Sequence, residues 1–163
     1  MNASCELRPI LVEQHFDTCV RFRAASYRAS FGSEEGLSGE KGVNNALYWQ
    51  RLLNHIAEVP TGNVHLWSDG EIIGQAEMKL IADASIGYVS HFYIESEWRR
   101  LGLGRLLHNH ACNVFKALGK NSVQLSVSRT NLAAQAFYNC LGWENLGLRP
   151  GHENMYLMRY FLT

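Results

Sequence analysis

A chain of 163 residues, 47% of them hydrophobic, can bury one substantial core but is short for two, so a single domain spanning residues 1–163 is expected. Fifteen basic side chains balance fifteen acidic ones, which leaves no overall field to attract nucleic acid or an anionic membrane and requires any anion recognition to be local. Cys5, Cys19, Cys112 and Cys140 form no Cys-x-x-Cys pair, and neither a secretory leader nor a long apolar span is seen, a pattern that suits a soluble cytoplasmic protein with reduced thiols.

From the N-terminus, Cys5 to Ile10 alternates as a strand does, and Val12 to Phe31 carries apolar residues at helical spacing through Phe16, Val20, Ala24 and Tyr27. Gly32 to Gly42, rich in glycine, serine and charge, predicts a loop, and Val43 to Glu58 a second helix that stops before Pro60. Val64 to Trp67 and Ile72 to Leu80 flank Ser68-Asp69-Gly70 and predict a hairpin, because Asp-Gly supplies the positive φ a tight turn requires. Ile86 to Ile94 predicts another strand. Leu103, Leu106, Leu107, His110, Val114 and Leu118 then mark one face of a helix ending near Gly119. Val123 to Val127 reads as a short buried strand, Asn131 to Cys140 as a short helix, Trp143 as the start of a strand, and Met155 to Phe161 as the last one. Antiparallel strands ahead of a strand-helix-strand crossover predict a mixed sheet with helices on both faces.

Histidines offer little for a metal. His108 and His110 stand two apart in a predicted helix, on different faces, and no nearby carboxylate or cysteine completes a ligand set, so no metal site is expected.

The segment Arg99-Arg100-Leu101-Gly102-Leu103-Gly104-Arg105 leaves a strand and enters a helix. Two glycines there let backbone N–H groups converge on an anion at the positive end of the helix dipole, and the arginines add charge that pairs with phosphate. Such a turn also occurs as a plain tight connection. It lacks the lysine and Ser/Thr of a nucleotide-triphosphate loop, and the antiparallel entry argues against a dinucleotide fold. Ligands in such sheets gather outside the carboxyl ends of strands, which places the turn and the Asn131 helix on the two sides of one crevice. Asn131 and Tyr138 are seven apart, two helical turns and nearly one face, with the small Ala134 between them. Together they can offer an amide and a phenolic proton to an extended ligand, while a helix cap and a packed aromatic remain the alternative reading of the same two residues.

The run Phe92-Tyr93-Ile94, the pattern Arg99-x-x-Gly102-x-Gly104 and Asn131-x-x-Ala134-x-x-x-Tyr138-x-x-x-Gly142-Trp143 together resemble the cofactor motifs of the GNAT acetyltransferase superfamily. The likeness is strong from about Ile72 onward; the first seventy residues match only in general plan. It implies a mixed α/β fold with a mostly antiparallel sheet of about seven strands, splayed at the cofactor site. It implies acetyl-CoA as donor, with pyrophosphate on the backbone amides of Arg100, Leu101, Gly102, Leu103, Gly104 and Arg105. The pantetheine arm would pair with Phe92, Tyr93 and Ile94 like an added strand, and Arg99 would fill the first motif position. Asn131, Ala134 and Tyr138 would line the other side. Acetyl would pass directly to a primary amine of a small molecule, peptide or protein, and Tyr138 would protonate the leaving sulfur. A non-catalytic acyl-CoA sensor of the same fold is the alternative.

The general base is less legible. Relatives resemble one another in placing Glu or His at positions that align with Tyr88 and Ser90, and this chain has neither there. His91 should alternate to the opposite face. A water chain anchored by Glu77 or Ser90 is the expected substitute. For the acceptor, Tyr27, Phe31, Tyr48 and Trp49 are candidates to line a pocket, although aromatics at helical spacing usually form core. The loop Gly32 to Gly42 is a candidate to fold over an acceptor. Met155 to Phe161, read as an exposed apolar edge, suggests a homodimer.

Overall fold

The computed structural model describes residues 4–33 and 44–163. Strand β1 (Cys5–Pro9) leads into helix α1 (Val12–Phe31), and α2 (Asn45–Glu58) precedes strands β2 (Val64–Ser68), β3 (Glu71–Leu80) and β4 (Ile86–Ile94). A 3₁₀ turn at Ser96–Trp98 opens onto α3 (Leu103–Ala117), followed by β5 (Ser122–Ser128), α4 (Leu132–Leu141), β6 (Glu144–Arg149) and β7 (His152–Phe161).

Local chemistry sets the ends of these elements. Asn44 caps α2 by accepting from the Leu47 N–H at 2.9 Å, and α1 stops where Gly32 takes a φ of 78°. Asp69 and Gly70 both adopt positive φ, 48° and 83°, and join β2 to β3 in the expected hairpin. The expected loop Gly32 to Gly42, and the expected helix start at Val43, lie outside the described residues except for Gly32 and Ser33.

One sheet runs in the order β1-β2-β3-β4-β5-β7-β6, and only β4 and β5 are parallel. The mixed, mostly antiparallel architecture expected from the sequence is present. Helices α1 and α2 cover one face with a small core of Ile10, Val12, Cys19, Tyr48 and Leu52. On the other face α3 contributes Leu107, Ala111, Val114 and Phe115 to the main core, which Ala76, Met78, Val89 and Val123 complete from the strands. Strand alternation on β3 separates the two: Ala76 and Met78 turn to α3, while Gln75 and Glu77 turn to Tyr48 of α2.

Two expectations are corrected. Strand β7 pairs with β5 through Phe161 and with β6 as far as Arg159, so Met155 to Arg159 has no free edge; the outer strands of the sheet are β1 and β6. Trp143 precedes β6 rather than opening it, and is buried because its indole Nε1 donates to His108 Nδ1 at 3.1 Å.

Gly87 shows how tightly α3 sits on the sheet. A Cβ there would lie 2.3 Å from the ring of Phe115, which is itself fully buried. Gly87→Ala is expected to cost about 1–3 kcal/mol of unfolding free energy by overpacking, read by urea denaturation. Adding Phe115→Leu should recover part of that loss, and additive losses in the double variant would contradict the account.

Candidate functional site

The parallel pairing of β4 with β5 runs from Ile86 opposite Ser122 to Val89 opposite Leu125 and then ends. Strand β4 stays paired with β3 as far as Ile94, and β5 with β7 as far as Ser128. The two strands therefore part, and residues 90–94 have no strand on their β5 side. Phe92 and Ile94 pack toward the main core with Leu106 of α3 and with Ala134 and Tyr138 of α4. The sequence-predicted halves of the site thus meet on one side of the opening.

The Arg99 to Arg105 turn closes one end of it. Arg100 and Gly102 take left-handed φ values of 63° and 83°, and α3 starts at Leu103 with no side-chain cap. Its first-turn N–H groups point out of the helix end and carry the positive end of the dipole. The two glycines do different jobs: Gly102 supplies the positive φ, whereas a Cβ on Gly104 would meet the Phe137 ring at 2.9 Å. Gly104 lets α3 approach α4, a packing reason rather than close approach of an anion. Arg99 donates from Nε to the Ile94 carbonyl at 2.9 Å and lies over the Tyr93 ring, so it ties the turn to the strand end. Arg100, Leu101 and Arg105 are exposed.

Asn131 is the cap of α4, its Oδ1 accepting from the Ala134 N–H at 3.2 Å. The side-chain NH₂ remains available to a ligand. Tyr138 is half-buried between Phe137 and Trp143, and burial raises its phenol well above the usual tyrosine range.

A buried polar network occupies the opposite face of the opening. Glu77 is 3% exposed and accepts from the Tyr48 hydroxyl at 2.7 Å, Gln75 Nε2 at 2.8 Å and His91 Nδ1 at 3.2 Å through one carboxylate oxygen. His55 Nδ1 stands 3.7 Å from the other oxygen, too far for a hydrogen bond but close enough for charge. Burial alone would push this carboxyl up; the two imidazoles and the Tyr48 hydroxyl outweigh it and hold it below the ordinary carboxylate range. Tyr48 is correspondingly raised, first by burial and then by the Glu77 charge. Because a carboxylate only accepts, His91 Nδ1 carries the proton and its Nε2 is left as the acceptor. Ser26 Oγ of α1 lies 2.6 Å from that Nε2 and donates to it.

Strand alternation placed His91 on the wrong face, and the reason is a bulge. Glu77 pairs with His91 and Met78 with Val89, which leaves Ser90 unpaired. One extra residue returns His91 to the face of Tyr88, Glu77 and Lys79. Ser90 itself is exposed on the bulge, and Glu77 is shut away beneath His91 rather than solvated. Tyr48 belongs to the core, while Tyr27 and Phe31 stack at 4.7 Å near the end of α1.

His108 does meet a cysteine, with Cys112 Sγ 3.7 Å from Nε2, yet among the described residues no three His, Cys, Asp or Glu side chains gather to hold a metal. Among those residues, too, no helix is long and apolar enough to cross a membrane.

The sheet that opens between two parallel strands belongs to an acyltransferase: the sequence model of the Acetyltransferase (GNAT) family matches residues 27–143, and the chain belongs to that family. Among curated proteins it is similar to the [Ribosomal protein bS18]-alanine N-acetyltransferase of Salmonella typhimurium, 26% identical over 103 residues, 59% of this chain and 68% of that one. Among solved structures it resembles the PaiA N-acetyltransferase of Thermoplasma acidophilum in complex with coenzyme A, at a TM-score of 0.76 and 21% identity over 97% of this chain and 99% of that one. The ribosomal-protein-S18-alanine N-acetyltransferase of Escherichia coli matches at 0.65 and 15% identity, over 98% and 95% of the two chains. At these identities the structural likeness is one of fold.

The network predicts a pH dependence. His65 Nε2 bonds Gln75 Oε1 at 2.8 Å, and burial lowers His65 from 6.5 to about 4. The unfolded chain then takes up a proton that the native state refuses, so stability should fall as pH drops from about 6.5 toward about 4. Glu77 adds its own loss only at lower pH, once the unfolded carboxyl protonates. Urea denaturation across this range should show a shallower decline in His65→Gln, and an unchanged slope would exclude His65 as its source.

Proposed function

We propose that the chain transfers an acetyl group from acetyl-CoA directly to a primary amine of a small molecule, peptide or protein. The observation that carries the reading is the parting of β4 from β5 after Val89 and Leu125, which leaves a main-chain edge with a proton donor on one face and a proton acceptor on the other.

The residues fit the coenzyme. First-turn N–H groups of α3, with Arg100, Leu101, Gly102, Leu103, Gly104 and Arg105 around them, suit its pyrophosphate. The open side of Phe92, Tyr93 and Ile94 suits the amides of the pantetheine arm, as an added strand would. Ala134 leaves room along α4, and the Asn131 side-chain NH₂ is free to donate. Arg99 acts by bracing the turn. When bound, the coenzyme supplies an acetyl group as an activated thioester.

Protons are handled by this chain's own side chains. The amine must be neutral to attack, and we assign the base to His91, whose Nε2 is reached through the Ser26 hydroxyl. Glu77 orients the imidazole and stabilises the charge it gains, so it is a positioning residue; Ser90 contributes the bulge that aims His91. As the C–N bond forms and the C–S bond breaks, backbone N–H groups at the opening favour the developing oxyanion. Tyr138 gives its phenolic proton to the departing sulfur, and burial keeps that proton in place at neutral pH. A sensor without turnover would have no use for this pair. The bS18-alanine relatives extend the candidate acceptors to protein amines, and the four free cysteines suit the cytoplasm.

Tyr138→Phe should lower kcat by about 100-fold or more while the KM for acetyl-CoA changes little; equal turnover would remove Tyr138 from the role. In the pH–rate profile, His91→Gln should abolish the acidic limb. Glu77→Gln should shift that limb, and retention of the wild-type limb in both variants would overturn the assignment. The reading as a whole is tested by screening primary amines with acetyl-CoA for transfer; coenzyme binding without any product would leave only the sensor.

A further inference from the structure

At the apex of the opening, on the proton-acceptor face, the Tyr88 hydroxyl bridges to Ser126 Oγ at 2.6 Å. Tyr88 sits one residue before the last β4–β5 pair, and Ser126 is the first β5 residue beyond it. Two cations flank the Tyr88 ring: Lys79 Nζ at 5.0 Å from its centroid and the Arg149 guanidinium at 6.0 Å. Arg51 of α2 lies close enough to join Arg149 in lowering the Lys79 ammonium, after burial itself. These three cations come from α2, β3 and β6, so the fold assembles a patch that no stretch of sequence contains.

The patch carries more positive than negative charge: three cations against the single carboxylate of Glu58. Among the described residues, none of Arg51, Lys79 and Arg149 forms an ion pair with an acid. Glu58 is the acid near Lys79, and its Oε2 is already engaged by the Leu80 N–H at 3.0 Å. Like charges gathered about one buried ring repel each other, and a bound anion relieves that repulsion. Stacking on Tyr88 explains why the stems are held there, but not why three elements each bring a positive head to one place.

Tyr88 and His91 share a face and, because of the bulge, stand opposite Lys79 and Glu77, two residues apart on β3 and so about 7 Å along the strand. A ligand whose amine meets the His91–Ser26 pair can therefore extend another group toward the cations. We propose that the acceptor is a primary amine that also carries a carboxylate or phosphate, held by Lys79 and Arg149 beside Tyr88 with Arg51 reinforcing the field. This deepens the acetyltransferase reading and rests on it for the amine end, while the anion site stands on its own contacts.

The test uses matched amines that differ in the anion: γ-aminobutyrate against butylamine, and phosphoethanolamine against ethanolamine. With acetyl-CoA at low ionic strength, kcat/KM for the anionic member of at least one pair should exceed its neutral partner by about tenfold. The pair that shows the larger ratio separates carboxylate from phosphate. Lys79→Gln/Arg149→Gln should bring the ratio within about twofold; a ratio near one in the wild type, or one that survives in the double variant, overturns the proposal. A second readout needs no turnover. Calorimetric titration of the CoA-saturated protein with inorganic phosphate and with acetate should show binding that the double variant loses, with folding of both checked by thermal melting. Loss of binding together with absence of transfer to any amine would refute the transferase reading and keep the anion site. Absence of binding in the wild type, or equal binding in both proteins, would refute the site.

Discussion

A single buried carboxylate organises the acceptor half of this molecule. Glu77 cannot be removed from water as an ion unless its charge is answered, and the answers come from four directions: Tyr48 and His55 of α2, Gln75 beside it on β3, and His91 of β4. Satisfying it fixes where α2 lies on the sheet. It also selects the His91 tautomer, which in turn gives Ser26 of α1 something to donate to. Gln75 passes the same constraint to His65 on β2, since its amide NH₂ is committed to Glu77 and its oxygen must face the imidazole. Two helices and three strands are thus registered by one polar chain beneath an apolar fold.

The other half obeys a different constraint. Around α3 and α4 contacts are close-packed and apolar, to the point that Gly87 and Gly104 exist because a methyl group would strike Phe115 and Phe137. That packing holds the start of α3 against α4, and no side chain caps its first N–H groups. Between the halves the sheet opens, and the opening puts polar proton chemistry on one face and a stiff cradle on the other. Tyr138 and His91 lie on opposite faces of the sheet at the opening, and burial in the apolar half raises the Tyr138 phenol.

Much of this was legible in the chain. The Asp69-Gly70 hairpin, the helix boundaries near Pro60 and Gly119, the turn at Arg99 to Arg105 and the Asn131 to Tyr138 face all follow from local rules of dihedral angle, capping and period. Failures came where a rule of period met a non-local event. Alternation sent His91 to the wrong face because the bulge at Ser90 is set by pairing with β3, which a single strand does not record. Asn131 offered both cap and ligand group, and in the structure its side-chain oxygen serves the cap. The last strand looked like a free edge because the sheet order, with β6 placed outside β7, is set by non-local pairing that the order of elements in the chain does not record.

The amino-acid sequence by itself determined the order of elements, the turn geometry and the residues that flank the opened strands, because those depend on neighbours within a few positions. Only the tertiary structure decided the Ser26–His91–Glu77 hydrogen-bond network and the grouping of the cations. Ser26, Glu77 and His91 lie on α1, β3 and β4, and Arg51, Lys79 and Arg149 on α2, β3 and β6. Side chains so far apart in the chain acquire a common chemistry only when strand register and helix packing bring their atoms within a few ångströms of one another.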